Sequence, residues 1–238
     1  MNFAGRHVVV TGGTGVLGGA VVGRLLGLGA TCHVPSFDPR ELRGYRHRQD
    51  PGIRLVEGVD LTQEDSVCAY YADLPRLWAS IHLVGGFAMA PIEDAGGAEF
   101  QALMRVNALT AYLCCRAALD NMRRRRRRTR SGGGRIVNVS ARPALEPRFG
   151  ANMVLYAAAK SAVAAITRGL AEEVAGEGIW VNAIAPSTLD TPLNRGAMPD
   201  ADHARWAKVG EVAETVAFLA SPENRSTRGA VVPVYGKS

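Results

Sequence analysis

Residues 7–18, His7-Val8-Val9-Val10-Thr11-Gly12-Gly13-Thr14-Gly15-Val16-Leu17-Gly18, limit the possible folds more than any other stretch. A short, wholly apolar β-branched run predicts a buried strand, His7 to Val10. A glycine-rich turn follows at once, and then the pattern of a helix from about Val16 to Leu28. Strand, glycine turn and helix in that order make a site for a dinucleotide. Glycines let the backbone approach a pyrophosphate, and the helix N-terminus attracts its charge. A plain strand-to-helix turn is the bland alternative, and the flanking elements favour the cradle. Its candidate residues are Gly12, Thr14, Gly15, Val16, Leu17 and Gly18.

The rest of the chain repeats the alternation. Strands are predicted at Ala30–Val34 (Pro35 at its end), Ile53–Glu57, Leu77–Val84, Arg135–Ser140, Ile179–Ala183 and Ala230–Val234. Helices are predicted at about Thr62–Asp73, Ala98–Arg124, Met153–Ala175 and Glu211–Ala220. This is the pattern of an α/β, Rossmann-type doubly wound fold: a seven-stranded, mostly parallel sheet with helices on both faces. At 238 residues the chain fits a single dinucleotide-binding domain, residues 1–238, with a short substrate lid around 187–208. Trp206 is a candidate to line the pocket under that lid, or equally a core residue.

Ligands of such sheets bind beyond the carboxyl ends of the strands. Several candidates fall there. An acid closing the second strand would grip the ribose of NAD, but Ser36 holds that position. The missing carboxylate admits NADP, with Arg40 as phosphate partner, while Asp38 keeps NAD open; the balance falls slightly towards NADP. Asp60, next to Leu61, either caps the following helix or accepts from an adenine amino group, or both. Gly85 and Gly86 let backbone lie against a cofactor or simply make a tight turn.

Tyr156 and Lys160 lie four apart in a helical segment and so share one face. An ammonium beside a phenol favours the phenolate. A free phenol titrates near ~10, so use at neutral pH needs a shift of about 3 units. Lysine plus an oxidised nicotinamide would supply it, and the tyrosine would then pass a proton to or from a carbonyl oxygen. An ordinary helix pair is the alternative.

The net charge of +6 is misleading, because Arg123 to Arg128 and Arg130 alone supply seven positive charges. The run has no interleaved aromatics and reads as a solvated helix end rather than a nucleic-acid site. Cys32, Cys68, Cys114 and Cys115 form no CxxC pair. They predict free thiols in a reducing, cytoplasmic setting and no metal site. No signal-peptide pattern opens the sequence, and no apolar run reaches membrane-spanning length.

Taken together, Thr11-Gly-Gly-Thr-Gly-Val-Leu-Gly18, Asp60-Leu61, Asn107, Ile136-Val-Asn-Val-Ser140, Tyr156-Ala-Ala-Ala-Lys160 and Val181-Asn-Ala-Ile-Ala-Pro186 resemble the short-chain dehydrogenase/reductase family in its single-domain branch. The likeness covers essentially the whole chain. It implies an NAD(P)(H)-dependent oxidoreductase that moves a hydride to or from a carbonyl, alcohol or conjugated small-molecule substrate. Tyr156 would be the general acid/base, Lys160 would bind the nicotinamide ribose, and Asn107 would hold a relay water. Pro186, Thr188 and Thr191 would cover the nicotinamide. The resemblance also implies a homodimer or homotetramer built through the two long helices flanking the fifth strand.

Three departures stand out. The family's Asn-Asn-Ala-Gly is Leu83-Val84-Gly85-Gly86. The glycine spacing matches longer members. The family's active serine falls on Ala141, leaving Ser140 one residue short, and adjacent strand residues face opposite ways. Either Ser140 shifts into the role or no serine serves. A local likeness to dihydropteridine reductase suggests a flat conjugated substrate. A non-catalytic NAD(P)-binding regulator or inactive oligomer partner is the alternative function.

Overall fold

A computed structural model describes residues 1–126 and 133–238. Along it run β1 (His7–Thr11), α1 (Val16–Gly27), β2 (Thr31–Ser36), β3 (Ile53–Glu57), α2 (Glu64–Ala72), β4 (Leu77–His82), α3 (Gly97–Met104) and α4 (Thr110–Arg126). After these come β5 (Gly134–Val139), α5 (Arg142–Leu145), α6 (Val154–Glu173), β6 (Ile179–Pro186), β7 (Leu189–Asp190), α7 (Pro192–Ala197), β8 (Ala207–Lys208), α8 (Val209–Ala220) and β9 (Val231–Val234). Seven strands form one sheet in the order β3-β2-β1-β4-β5-β6-β9, and every neighbouring pair is parallel. The order reverses between β1 and β4. A crevice opens at their carboxyl ends for that reason.

Strand alternation explains the two cores. Val8 and Val10 face one side, where Val21, Val22 and Leu25 of α1 pack with Val212, Val216 and Leu219 of α8. Val9 faces the other, with Tyr71 of α2, Leu113 and Ala118 of α4, and Ala171 of α6. Both faces are covered, so the strands read as unbroken apolar runs.

Two predicted elements are redrawn. β2 continues through Pro35 to Ser36. Thr31 donates its amide towards the β1 side and Cys32 towards the β3 side. Pro35 therefore aims its missing donor at β1, whose pairing with β2 has already ended at Val9 and His33. No ladder bond is lost. The single helix expected over 98–124 is instead α3, a π-helical turn at Arg105–Leu109, and α4. Smaller shifts end β4 at His82, extend β6 to Pro186 and start α2 at Glu64.

Of the arginine run, Arg123 bonds Glu177, and the rest lies largely outside the described residues. Among the described residues no helix is long and apolar enough to cross a membrane. The expected lid is pinned by a ribbon in which β7 pairs with β8. Asp190 ties it by accepting from Arg195 and Lys208. Trp206 is buried against His203 rather than open to a pocket.

Candidate active site

The turn after β1 is shaped by steric necessity. Gly12 has φ +66°, a left-handed conformation that a side chain resists. A Cβ on Gly18 would stand 1.9 Å from the Gly12 carbonyl oxygen. The first turn of α1 therefore sits directly on the glycine turn, and Gly15 caps it. Val16 is exposed on that edge and Leu17 half-buried. A pyrophosphate fits such a cradle, because bare backbone lies at a helix N-terminus with no side chain in the way.

Thr14 on the turn and Ser36 at the end of β2 are joined by a third residue that the sequence did not single out. The Thr14 hydroxyl donates to Glu41 Oε2 at 2.9 Å, and the Ser36 hydroxyl shares its proton between that oxygen at 3.0 Å and the Asp38 carbonyl at 3.1 Å. Glu41 arrives on a 3₁₀ turn, Pro39–Leu42, capped by Asp38. That capping pattern, Asp followed by Pro, was the available signal. Asp38 itself is bonded to Arg40, which had been the candidate phosphate partner.

Asp60 follows β3 and accepts from the amide and hydroxyl of Thr62, both at 2.8 Å. It caps a turn ahead of α2 rather than the helix itself. The Leu61 side chain is buried in the core.

The centre of the site gathers at the carboxyl ends of β4 and β5. The π turn swings Asn107 inward, so it is 1% exposed rather than on the surface where a mid-helix asparagine usually sits. Its amide nitrogen donates to the carbonyls of Gly86 and Leu103, both at 3.0 Å, and its Oδ1 accepts from the Gly86 amide. A Cβ on Gly85 would lie 2.6 Å from Asn107 Oδ1 and 3.0 Å from Lys160 Nζ. Gly85 thus allows the asparagine, the lysine and the loop after β4 to meet.

Tyr156 and Lys160 share one face of α6, with Lys160 Nζ 5.9 Å from the Tyr156 ring centroid. Lys160 is 5% exposed and donates to the Val139 carbonyl at 3.0 Å. Burial lowers its ammonium to about 8. Burial also pushes the Tyr156 phenol up to about 12, opposite to the shift expected from its neighbour. Desolvation opposes both charges here, and the protein's own groups do not offset it for the phenolate. Phe87, 63% exposed, meets the Tyr156 ring edge to face at 5.0 Å. It was not foreseen from the sequence.

Ser140 is buried, and its hydroxyl donates to the Lys160 carbonyl at 2.8 Å. Its proton is used to seat α6 on β5. Ala141, beside it, is buried as well. Pro186 ends β6 and pairs with Val234 of β9. Thr188 accepts the Ala207 amide through its carbonyl. The Thr191 hydroxyl accepts the Asn194 amide and caps α7.

Exposed apolar side chains lie on the segments beyond β4, β5 and β6: Phe87, Met89, Phe149, Leu193 and Met198. The first two segments touch where the Ala90 amide donates to the Asn152 carbonyl. Arg142 stacks on Phe149 at 3.6 Å and on Tyr235 at 4.6 Å, and pairs with Glu146.

Comparison with known proteins agrees with this geometry. A family model described as short chain dehydrogenase matches residues 6–202. A cis-4-hydroxycyclohexanecarboxylate dehydrogenase of Sinomonas cyclohexanicum is 34% identical over 98% of this chain and 96% of its own. A 2,3-dihydroxy-2,3-dihydro-p-cumate dehydrogenase of Pseudomonas putida is 29% identical over 98% and 94%. A solved short chain dehydrogenase/reductase family protein superposes with TM-score 0.88 at 28% identity, covering 99% of this chain and 98% of that one.

Proposed function

The chain belongs to the short-chain dehydrogenase family of NAD(P)-dependent oxidoreductases, and from that premise we propose that it interconverts a small secondary alcohol and its ketone, with Tyr156 moving the proton. A bound nicotinamide supplies the hydride acceptor or donor. The chain's own residues do the rest. Gly12 and Gly15 would cradle the pyrophosphate with backbone, Gly18 lets α1 sit close on that turn, and Gly85 lets Asn107 and Lys160 meet beside the crevice. For a ketone, the Tyr156 phenol donates its proton to the oxygen that becomes the alcohol. For an alcohol, the phenolate takes that proton, and the Lys160 ammonium stabilises the phenolate.

One observation carries the reading: the buried ammonium of Lys160 lies 5.9 Å from the Tyr156 ring at the open end of β5. A charge held in so dry a place needs a use, since burial alone disfavours it. Asn107 is a positioning residue in this reading, because both its amide hydrogens and one lone pair of its Oδ1 are taken by Gly86 and Leu103. Ser140 is a second, because its hydroxyl holds the Lys160 carbonyl. We assign no serine to polarise the substrate. A substrate with a ring or other apolar frame suits the apolar side chains beyond β4 to β6. Two relatives are named for hydroxylated carboxylates, a hydroxycyclohexanecarboxylate and a dihydroxy-dihydro-p-cumate, which makes cyclic hydroxy acids the first compounds to assay.

The test compares wild type with Tyr156→Phe on a panel of cyclic alcohols and ketones, with both dinucleotides. Turnover should fall by about 10²–10⁴, the usual worth of a positioned acid/base, while the dinucleotide Kd stays within about twofold. Unchanged turnover in the variant would sink the assignment. So would a wild type that binds dinucleotide and reduces or oxidises nothing on the panel.

A further inference from the structure

We infer that Glu41 sets the dinucleotide preference of this enzyme in favour of NAD, by holding a carboxylate where the 2′-phosphate of NADP would have to lie. The inference rests on the dinucleotide-binding reading of the crevice. In folds of this kind the group at the end of the second strand meets the adenosine ribose, and an acid there accepts from its 2′-hydroxyl. Here that strand ends on Ser36, which is buried and uncharged. The acid comes from elsewhere. The 3₁₀ turn Pro39–Leu42 folds back over the strand end. One oxygen of Glu41 then accepts from Ser36 Oγ at 3.0 Å and from Thr14 Oγ1 at 2.9 Å. Thr14 belongs to the glycine turn that cradles the pyrophosphate, so the carboxylate bridges the two features that bracket the ribose.

Three properties fit it for the role. Both partners are neutral donors, so they fix the carboxylate without cancelling its charge. Among the described residues no lysine or arginine pairs with it. Among the described residues its second oxygen has no hydrogen-bond partner, so it stays available to an incoming hydroxyl. Arg40 lies on the same turn, but both Asp38 oxygens accept from its guanidinium at 2.6–3.0 Å. That pair is exposed and weak by itself, so the preference rests on Glu41. An unpaired carboxylate accepts a hydroxyl and repels a phosphate dianion.

The experiment is calorimetric titration of the full chain with NADH and with NADPH, without substrate, for wild type and Glu41→Gln. Glutamine keeps one oxygen for Thr14 and Ser36, removes the charge and turns the second oxygen into an amide donor. Wild type should bind NADH about tenfold or more tighter than NADPH. The variant should narrow that ratio by about tenfold, mainly through tighter NADPH binding. Equal or tighter NADPH binding by wild type overturns the inference alone, and so does an unchanged ratio in the variant. Failure of wild type to bind either dinucleotide overturns the crevice reading and this inference with it.

Discussion

Replacing Lys160 by methionine turns the site's electrostatic cost into a measurable quantity. The ammonium is 5% exposed, and burial lowers its pKa from 10.5 to about 8. Between those values the unfolded chain holds a proton that the folded chain has released. Below about 8 both states are protonated, and the folded state bears the full penalty. Each pKa unit is worth about 1.4 kcal/mol, so the penalty is about 3 kcal/mol at neutral pH. It disappears as pH rises towards 10.5, so this group makes the wild type more stable as pH rises, relative to a variant without it.

Methionine removes the titration but also leaves the Val139 carbonyl without its donor. That loss is about 1–3 kcal/mol and independent of pH. The absolute stability change at pH 7 therefore mixes two effects, whereas its pH dependence isolates one. The assay is urea unfolding of both proteins, free of dinucleotide, from pH 7 to pH 10. Titrations of other groups cancel in the difference. The wild type should gain about 2–3 kcal/mol on the variant across that range. A difference that stays flat would mean Lys160 titrates normally, and the picture of a dry, costly ammonium beneath Tyr156 would fail.

Two further substitutions probe the frame around the site. Gly18→Ala places a Cβ 1.9 Å from the Gly12 oxygen, so the start of α1 must move; calorimetry should show dinucleotide binding lost, with about 1–3 kcal/mol of stability, and an unaltered Kd would refute the contact. Asn138→Leu cuts a fully buried chain running from Tyr71 through Ser80 and His82 to Asn138 and Thr167, each link 2.8–2.9 Å. Thr167 keeps its bond to the Val163 carbonyl, but removing the Asn138 acceptor from His82 Nδ1–H should lower the unfolding free energy in urea by about 1–3 kcal/mol, and an unshifted midpoint would show the chain carries no weight.

The parallel sheet was legible because its evidence is repeated and local. Val8-Val9-Val10 and Ile136-Val137 are apolar at every position, as strands covered on both faces must be. The order of glycine turn, asparagine, tyrosine and lysine likewise lies along single elements. The misplaced boundaries fail for a different reason. Pro35 looks like a strand end unless one knows which neighbour its amide would face, and that depends on where β1 stops. The π turn at Arg105–Leu109 has a helix-compatible sequence. What requires it is the match of the Asn107 amide to Gly86, a residue 21 positions earlier.

The charges of the site were the least legible part, and the reason is general. Spacing fixes which side chains share a helix face, but it says nothing of the water removed when other elements cover that face. Four residues separate Tyr156 from Lys160 in the sequence, which suggests mutual stabilisation of their ions. In the fold both are desolvated, and the phenol moves up instead of down. The same logic governs the ribose corner. Reading along β2, Ser36 is neutral and no acid stands where one is sought. Folded, the 3₁₀ turn at Pro39–Leu42 returns a carboxylate to that corner and attaches it to the glycine turn. If Glu41 acts as inferred, cofactor choice follows the turn after the strand rather than the strand's last residue. A graft of residues 37–43 should shift the NADH-to-NADPH binding ratio more than any substitution at Ser36, and the reverse ranking would refute that assignment.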